Sequence, residues 1–207
     1  GKVAILDRLV DRDVTVYAPD GAALGRLPLD GAGIREMGQV TGVFVDGTDV
    51  YVEREHAELI LVGDTSGRPS RARTEIPGRP SRDGSSFVSA GIDVGRVYLT
   101  AITRSTGQQR YARPLAASGR VDGILLLDTD RIGTVYLATL GTEPDGTSSE
   151  WLTCASLSDG HVIGTTTVKE NTLPDETFRE FAVLDDGGVL HAEMSDNGVT
   201  YVRYRCL

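Results

Sequence analysis

The stretch Val43-Phe44-Val45-Asp46-Gly47-Thr48-Asp49-Val50-Tyr51-Val52 decides how this chain is read. An apolar run meets an Asp-Gly turn, and an alternating Val-Tyr-Val run leaves it. That is the pattern of two strands joined by a tight hairpin. The phrase returns at Gly91-Ile92-Asp93-Val94-Gly95-Arg96-Val97-Tyr98-Leu99. It returns again where Ile124 to Leu127 leads into Gly133-Thr134-Val135-Tyr136-Leu137, and at Val183-Leu184-Asp185-Asp186-Gly187-Gly188-Val189-Leu190. A small sheet cannot bury both of its own faces, so repeated hairpins of this kind stack on one another.

The second strands begin at Val50, Val97, Val135 and Val189, giving spacings of 47, 38 and 54 residues. These bracket the ~40–50 residues of a β-propeller blade. The variation falls in polar stretches expected to be loops, at Thr65 to Ser85, Gly141 to Ser149 and Lys169 to Glu176. No run of a dozen residues carries convincing helical spacing of apolar residues. Asp175 to Phe181 reads either as a helical turn or as the approach to a strand. The expected fold is therefore all-β: a propeller of about five blade units over residues 1–207, as one domain or as a fragment of a larger propeller.

One unit predicts strands at Val40 to Val45, Val50 to Glu55, Glu58 to Gly63 and Arg73 to Ile76. Another predicts Ile124 to Leu127, Thr134 to Leu140, Trp151 to Leu157 and His161 to Val168. The unit between them reads as three-stranded. At the start, Tyr17 to Leu27 reads as a third and fourth strand, which makes Val3 to Leu6 a second strand and leaves the first unit without its first. The last unit stops after Val199 to Cys206, without a fourth strand. Both end units are thus expected to be incomplete.

Gly42 to Glu53 and Glu58 to Val62 resemble the first three strands of the NHL-type propeller repeat. Glu55-His56-Ala57 departs from the Asn-His-Arg signature usual there, and the other units share only the hairpin. The resemblance implies a propeller and brings no functional residue with it.

The chain has 207 residues, 40% of them hydrophobic, which suffices for a substantial core. Its net charge of -9 gives it no electrostatic reason to seek nucleic acid or an anionic membrane. No apolar run approaches the ~20 residues of a membrane-spanning helix. There is no signal-peptide pattern and no initiator Met, and strand-like sequence begins at Val3; the expectation is a mature or excised chain, leaning towards a secreted or cell-envelope location. Cys154 and Cys206 permit one disulfide at most. Free buried thiols are the favoured reading, and a bridge, which would imply an oxidising compartment, stays open.

Motifs for a nucleophile elbow, a P-loop, a dinucleotide fold and an H-E-x-x-H zinc site are absent. No catalytic residue and no cofactor is assigned. His56, His161 and His191 lie in different units. Glu53 and Glu55 share a strand face, where ion pairing or solvation accounts for them. Asp128 and Asp130 alternate as the first ligands of a calcium loop do, but the later ligands are missing and a hairpin turn explains them. Arg71 and Arg73 belong to the one basic stretch, Arg68 to Arg82, a candidate phosphate or partner site set against a solvated loop. Trp151, the only tryptophan, is a candidate for stacking on a sugar or partner, set against packing between sheets.

Two functional classes follow. The favoured one is a non-enzymatic binding or scaffolding propeller that presents loops to a protein or glycan partner, with further chains able to pair along exposed strand edges. The alternative is a calcium-dependent propeller hydrolase or lactonase, in which a channel ion polarises a carbonyl. With Asn171 and Asn197 the only asparagines, the ligand supply for such a channel is thin.

Overall fold

The computed structural model describes residues 1–30, 34, 40–54, 59–116, 119–171 and 180–206. Among them every regular element is a strand, and eighteen strands form five small antiparallel sheets. The sheets are the blades of a β-propeller. The chain divides into two units, Gly1–Gly78 with two blades and Arg79–Leu207 with three.

In the first unit, β1 (Val3–Asp7), β2 (Asp13–Tyr17) and β3 (Ala23–Pro28) make a three-stranded sheet. β4 (Val40–Asp46), β5 (Asp49–Arg54), β6 (Leu59–Asp64) and β7 (Glu75–Ile76) make a four-stranded one. The β4–β5 hairpin is the opening sequence phrase. Phe44 pairs with Tyr51, their rings stacked with centroids 5.0 Å apart, and Gly47 takes φ +59° in the turn. That left-handed conformation suits a residue without Cβ. Val14, Val16 and Leu27 of one blade pack on Val50, Val52, Ile60 and Val62 of the other. β1 lies against β4 and β3 against β6, so β1 takes the first-strand position. This corrects the sequence reading of Val3 to Leu6 as a second strand: among the described residues the first blade has its three inner strands.

The second unit opens with β8 (Arg79–Pro80), β9 (Ser86–Asp93), β10 (Arg96–Thr103) and β11 (Gln109–Leu115). The three long strands are the three expected, and two-residue β8 adds to the β9 side. The next blade is β12 (Arg120–Thr129), β13 (Thr134–Thr142), β14 (Ser148–Ser156) and β15 (Val162–Val168). The last is β16 (Phe181–Val183), β17 (Val189–Ser195) and β18 (Gly198–Tyr204), three-stranded as expected. Asp175 to Arg179 lies outside the described residues.

Strand β14 shows why these blades stack. Successive side chains point to opposite faces, and both faces of this strand are covered. Ala155 joins Val135 and Leu137 of β13 in a core with Val88, Val97, Leu99 and Leu115 of the third blade. Leu152 and Cys154 join Tyr136 and Val168 in a second core with Val183 and Val189 of the last blade.

The second core is cross-linked. Cys154 on β14 and Cys206 after β18 form a disulfide with Cα atoms 6.0 Å apart. The favoured sequence reading of two free thiols is therefore corrected. The two strands are remote in sequence, and only stacking of the blades brings the cysteines within bonding distance.

Candidate functional site

Trp151 was the one aromatic singled out in the sequence as a contact residue, and the structure sets it at the wall of a cleft. Trp151 is 5% exposed on β14. Opposite it on β13 is Thr139; one step along the same face, Thr153 of β14 pairs with Thr165 of β15. Across from this face stand Val97 and Leu115, themselves a cross-strand pair of β10 and β11, with Ala116 beside them. Three cross-strand pairs and one alanine thus enclose a cleft of about 310 Å³ between the third and fourth blades. Thr165, on the last strand of its blade, is exposed and stands at the rim.

The indole is held from behind. A Cβ at Gly141 would stand 2.6 Å from Trp151 Cζ3 and 2.3 Å from the Arg120 carbonyl oxygen. Only a residue with no side chain lets β13 approach the ring so closely. The lining combines an apolar majority with three hydroxyl groups and carries no charge. Small-molecule sites have this make-up, with a few polar groups set in an apolar wall. Thr153 and Thr165 place their hydroxyl oxygens 3.4 Å apart, a long contact that leaves both able to bond elsewhere.

On the other face of β14 lies a group of carboxylates. Burial, then the Glu180 and Glu170 carboxylates, push the Glu150 carboxyl up to about 7. Glu180 Oε2 lies 3.5 Å from Nε2 of fully buried His191, whose ring stacks on Phe181 with centroids 4.4 Å apart. Asn171 donates through Nδ2 to Glu180 and to the Ala192 carbonyl, and its Oδ1 accepts from the Met194 N–H. Tyr204 donates to Glu193 at 2.9 Å. These groups join the segment before β16 to β17.

The remaining candidates fall elsewhere. Arg73 donates to the carbonyls of Val62 and Pro28, tying its loop to β6 and β3, while Arg71 is exposed. Arg68 pairs with Asp64, whose carboxyl is held down to about 2, chiefly by the Ser66 hydroxyl. Arg82, in the second unit, pairs with Asp128 at 2.8 Å and Asp185 at 2.5 Å and donates to the Val183 carbonyl, so it reaches both following blades.

Asp128 thus faces an arginine, and its Oδ1 accepts the Thr129 N–H. Fully buried Asp130 accepts from the Ile132 and Thr134 N–H groups and from Tyr136 Oη, which in turn accepts from the Gly188 N–H. Both carboxylates therefore serve hairpin and inter-blade geometry. Among the described residues, no group of three His, Cys, Asp or Glu is arranged to hold a metal ion. His161 is exposed in a turn, Glu53 lies on β5, and Glu55 and His56 lie outside the described residues.

Val97, Leu115, Thr139, Thr153 and Thr165 were not singled out from the sequence. The available signal was the alternation Trp151, Thr153, Ala155 against Leu152, Cys154: it places threonine and tryptophan on one face. Which strand would meet that face depends on the partner blade, and no local pattern states it.

No family model matches the sequence, and no curated protein matches it. Solved structures do. BamB from Moraxella catarrhalis matches at 12% identity over 99% of this chain and 61% of its own, with a TM-score of 0.35. BBS1N in complex with ARL6DN matches at 10% identity over 98% and 64%, with a TM-score of 0.44. The WD40 domain of SCAP from fission yeast matches at 13% identity over 100% and 50%, with a TM-score of 0.37. The chain spans less than two thirds of the length of each. No helix among the described residues is long and apolar enough to cross a membrane.

Proposed function

We propose that this chain is a non-enzymatic binding propeller that engages a protein or glycan partner through the Trp151 cleft. The observation that carries this reading is the lining: an indole, two aliphatic side chains, an alanine and three threonines, all but Ala116 set on regular strands. Side chains fixed by sheet register hold their positions without a ligand, which lowers the ordering cost of binding. The same lining supplies contacts and hydrogen bonds but no acid or base to move a proton.

The disulfide supports a secreted or cell-envelope location, because such bonds persist in oxidising compartments. The sequence of the β4–β5–β6 blade carries the NHL-like pattern, and we propose that unit as an NHL-type repeat, the other units sharing only its hairpin. The 207 residues constitute one propeller domain or part of a larger one.

Ligand-observed NMR with a mixed set of neutral, acidic and basic fragments tests the binding role. Wild-type protein should give hits that disappear in Thr153→Phe, which fills the cleft. If no hit depends on residue 153, the cleft is not the binding site.

A further inference from the structure

We propose that the Trp151 cleft takes one uncharged sugar ring; this rests on the binding reading above and specifies its ligand. Three features of the lining converge on that class. First, Val97, Leu115, Ala116, Thr139, Trp151, Thr153 and Thr165 include no ionisable group, so a charged ligand would shed water without gaining a counter-charge. Second, a purely apolar occupant would cover the buried Thr139 hydroxyl and leave Thr153 only its long contact with Thr165, which is the costly way to bury a polar group. Third, the third-blade wall is wholly apolar, and on the fourth blade the three hydroxyls stand beside the indole. Val97 and Leu115 form the third-blade wall, whereas the hydroxyls come from adjacent strands of the fourth blade.

A pyranose matches this division. Its axial C–H groups form an apolar side that packs on the Val97 and Leu115 wall. Its hydroxyl rim both donates and accepts, as Thr139, Thr153 and Thr165 do. Thr153 and Thr165, with oxygens 3.4 Å apart, can both address one ligand hydroxyl or a neighbouring pair. A cleft of about 310 Å³ is small for a ligand site, which suits one ring of a longer glycan with the chain leaving past exposed Thr165.

The only tryptophan in the chain lines the cleft, so its fluorescence reports on this place alone. The full chain is titrated with methyl β-D-glucopyranoside, methyl β-D-galactopyranoside and methyl α-D-mannopyranoside. Glucuronic acid and glucosamine are the charged controls, and cyclohexanol and toluene the apolar ones. Saturation-transfer NMR on the same probes guards against a silent indole.

At least one neutral glycoside should bind saturably, and more tightly than either charged sugar. Thr153→Val, which keeps the shape and removes the hydroxyl, should weaken it about fivefold, with the melting temperature used to confirm folding. Thr139→Val is the second such variant. Saturation by toluene or cyclohexanol with none by any glycoside overturns the sugar assignment and leaves the binding reading standing. No saturation by any probe overturns the sugar assignment, while the fragment screen separately decides the binding reading. Glycoside affinity unchanged in both valine variants overturns the placement in this cleft.

Discussion

Replacing Glu150 by Gln should stabilise the protein above neutral pH and leave it nearly unchanged in acid. Glu150 opens the face of β14 that meets the last blade, between Leu140 on β13 and Val168 on β15. Burial raises its carboxyl from 4.5 to about 7, with the Glu180 and Glu170 carboxylates adding to the effect. The Tyr204 phenol, pushed up chiefly by burial, also feels the Glu150 charge. The folded protein therefore favours the neutral acid. Between pH 4.5 and 7 the unfolded chain has released this proton and the folded one still holds it, so stability falls as pH rises through that window. Above about 7 both states are ionised and the loss is complete. At ~1.4 kcal/mol per tenfold change in proton affinity, the full displacement is worth about 3 kcal/mol, and solvent screening of this partly exposed carboxyl cuts that to about 1–2 kcal/mol. Gln imitates the protonated acid at every pH. Thermal unfolding of wild type and Glu150→Gln at pH 4 and pH 8 gives the comparison. The variant should melt about 2–8 °C higher at pH 8, using ~2–4 °C per kcal/mol for a chain of this size, and within a degree or two of wild type at pH 4. An equal shift at both pH values, or none at pH 8, would refute a buried acid at this position.

Three further outcomes are expected. Gly141→Ala places a methyl group against the indole and the Arg120 carbonyl, and should cost about 1–3 kcal/mol in urea unfolding with a shift of the Trp151 emission; an unperturbed spectrum would show that the ring does not rest on Gly141. Val94→Asn should stabilise by about 1 kcal/mol, because Val94 sits at φ +47° with 93% exposure, where asparagine is tolerated and a β-branched residue is strained; a loss of stability would mean that Val94 makes a contact worth keeping. Reduction, or Cys206→Ser, opens a 52-residue separation and should cost up to about 4 kcal/mol by loop-closure entropy, read as a lower urea midpoint.

Alternation and turn chemistry made the blades legible. Val50, Tyr51 and Val52 after an Asp-Gly turn could only be a hairpin strand, and the strands at Trp151 and His161 fell within a few residues of β14 and β15. The position of β1 was not legible, because a strand's rank within a blade is set by what it packs against. Val3 to Leu6 carries the same pattern whether it is first or second. The cleft was half legible for the same reason: Trp151 announces itself by type, whereas Thr139 and Thr165 become neighbours of Val97 only when two blades stack. Asp128 and Asp130 show the converse. Their spacing allowed calcium beside the favoured hairpin turn, and the geometry engages them with Arg82, Tyr136 and backbone N–H groups.

The bond from Cys154 to Cys206 also has a mechanical meaning. A pull on the chain at Cys206 is carried through sulfur to β14, in the middle of a four-stranded sheet. The covalent loop encloses β15 to β18, so that load bypasses the whole three-stranded last blade. Without the bond, the same pull would peel β18 from the edge one hydrogen bond at a time. With it, β14 must be sheared out against β13 and β15 together. The fewest-stranded sheet of this unit is thereby shielded from tension by its better-anchored neighbour.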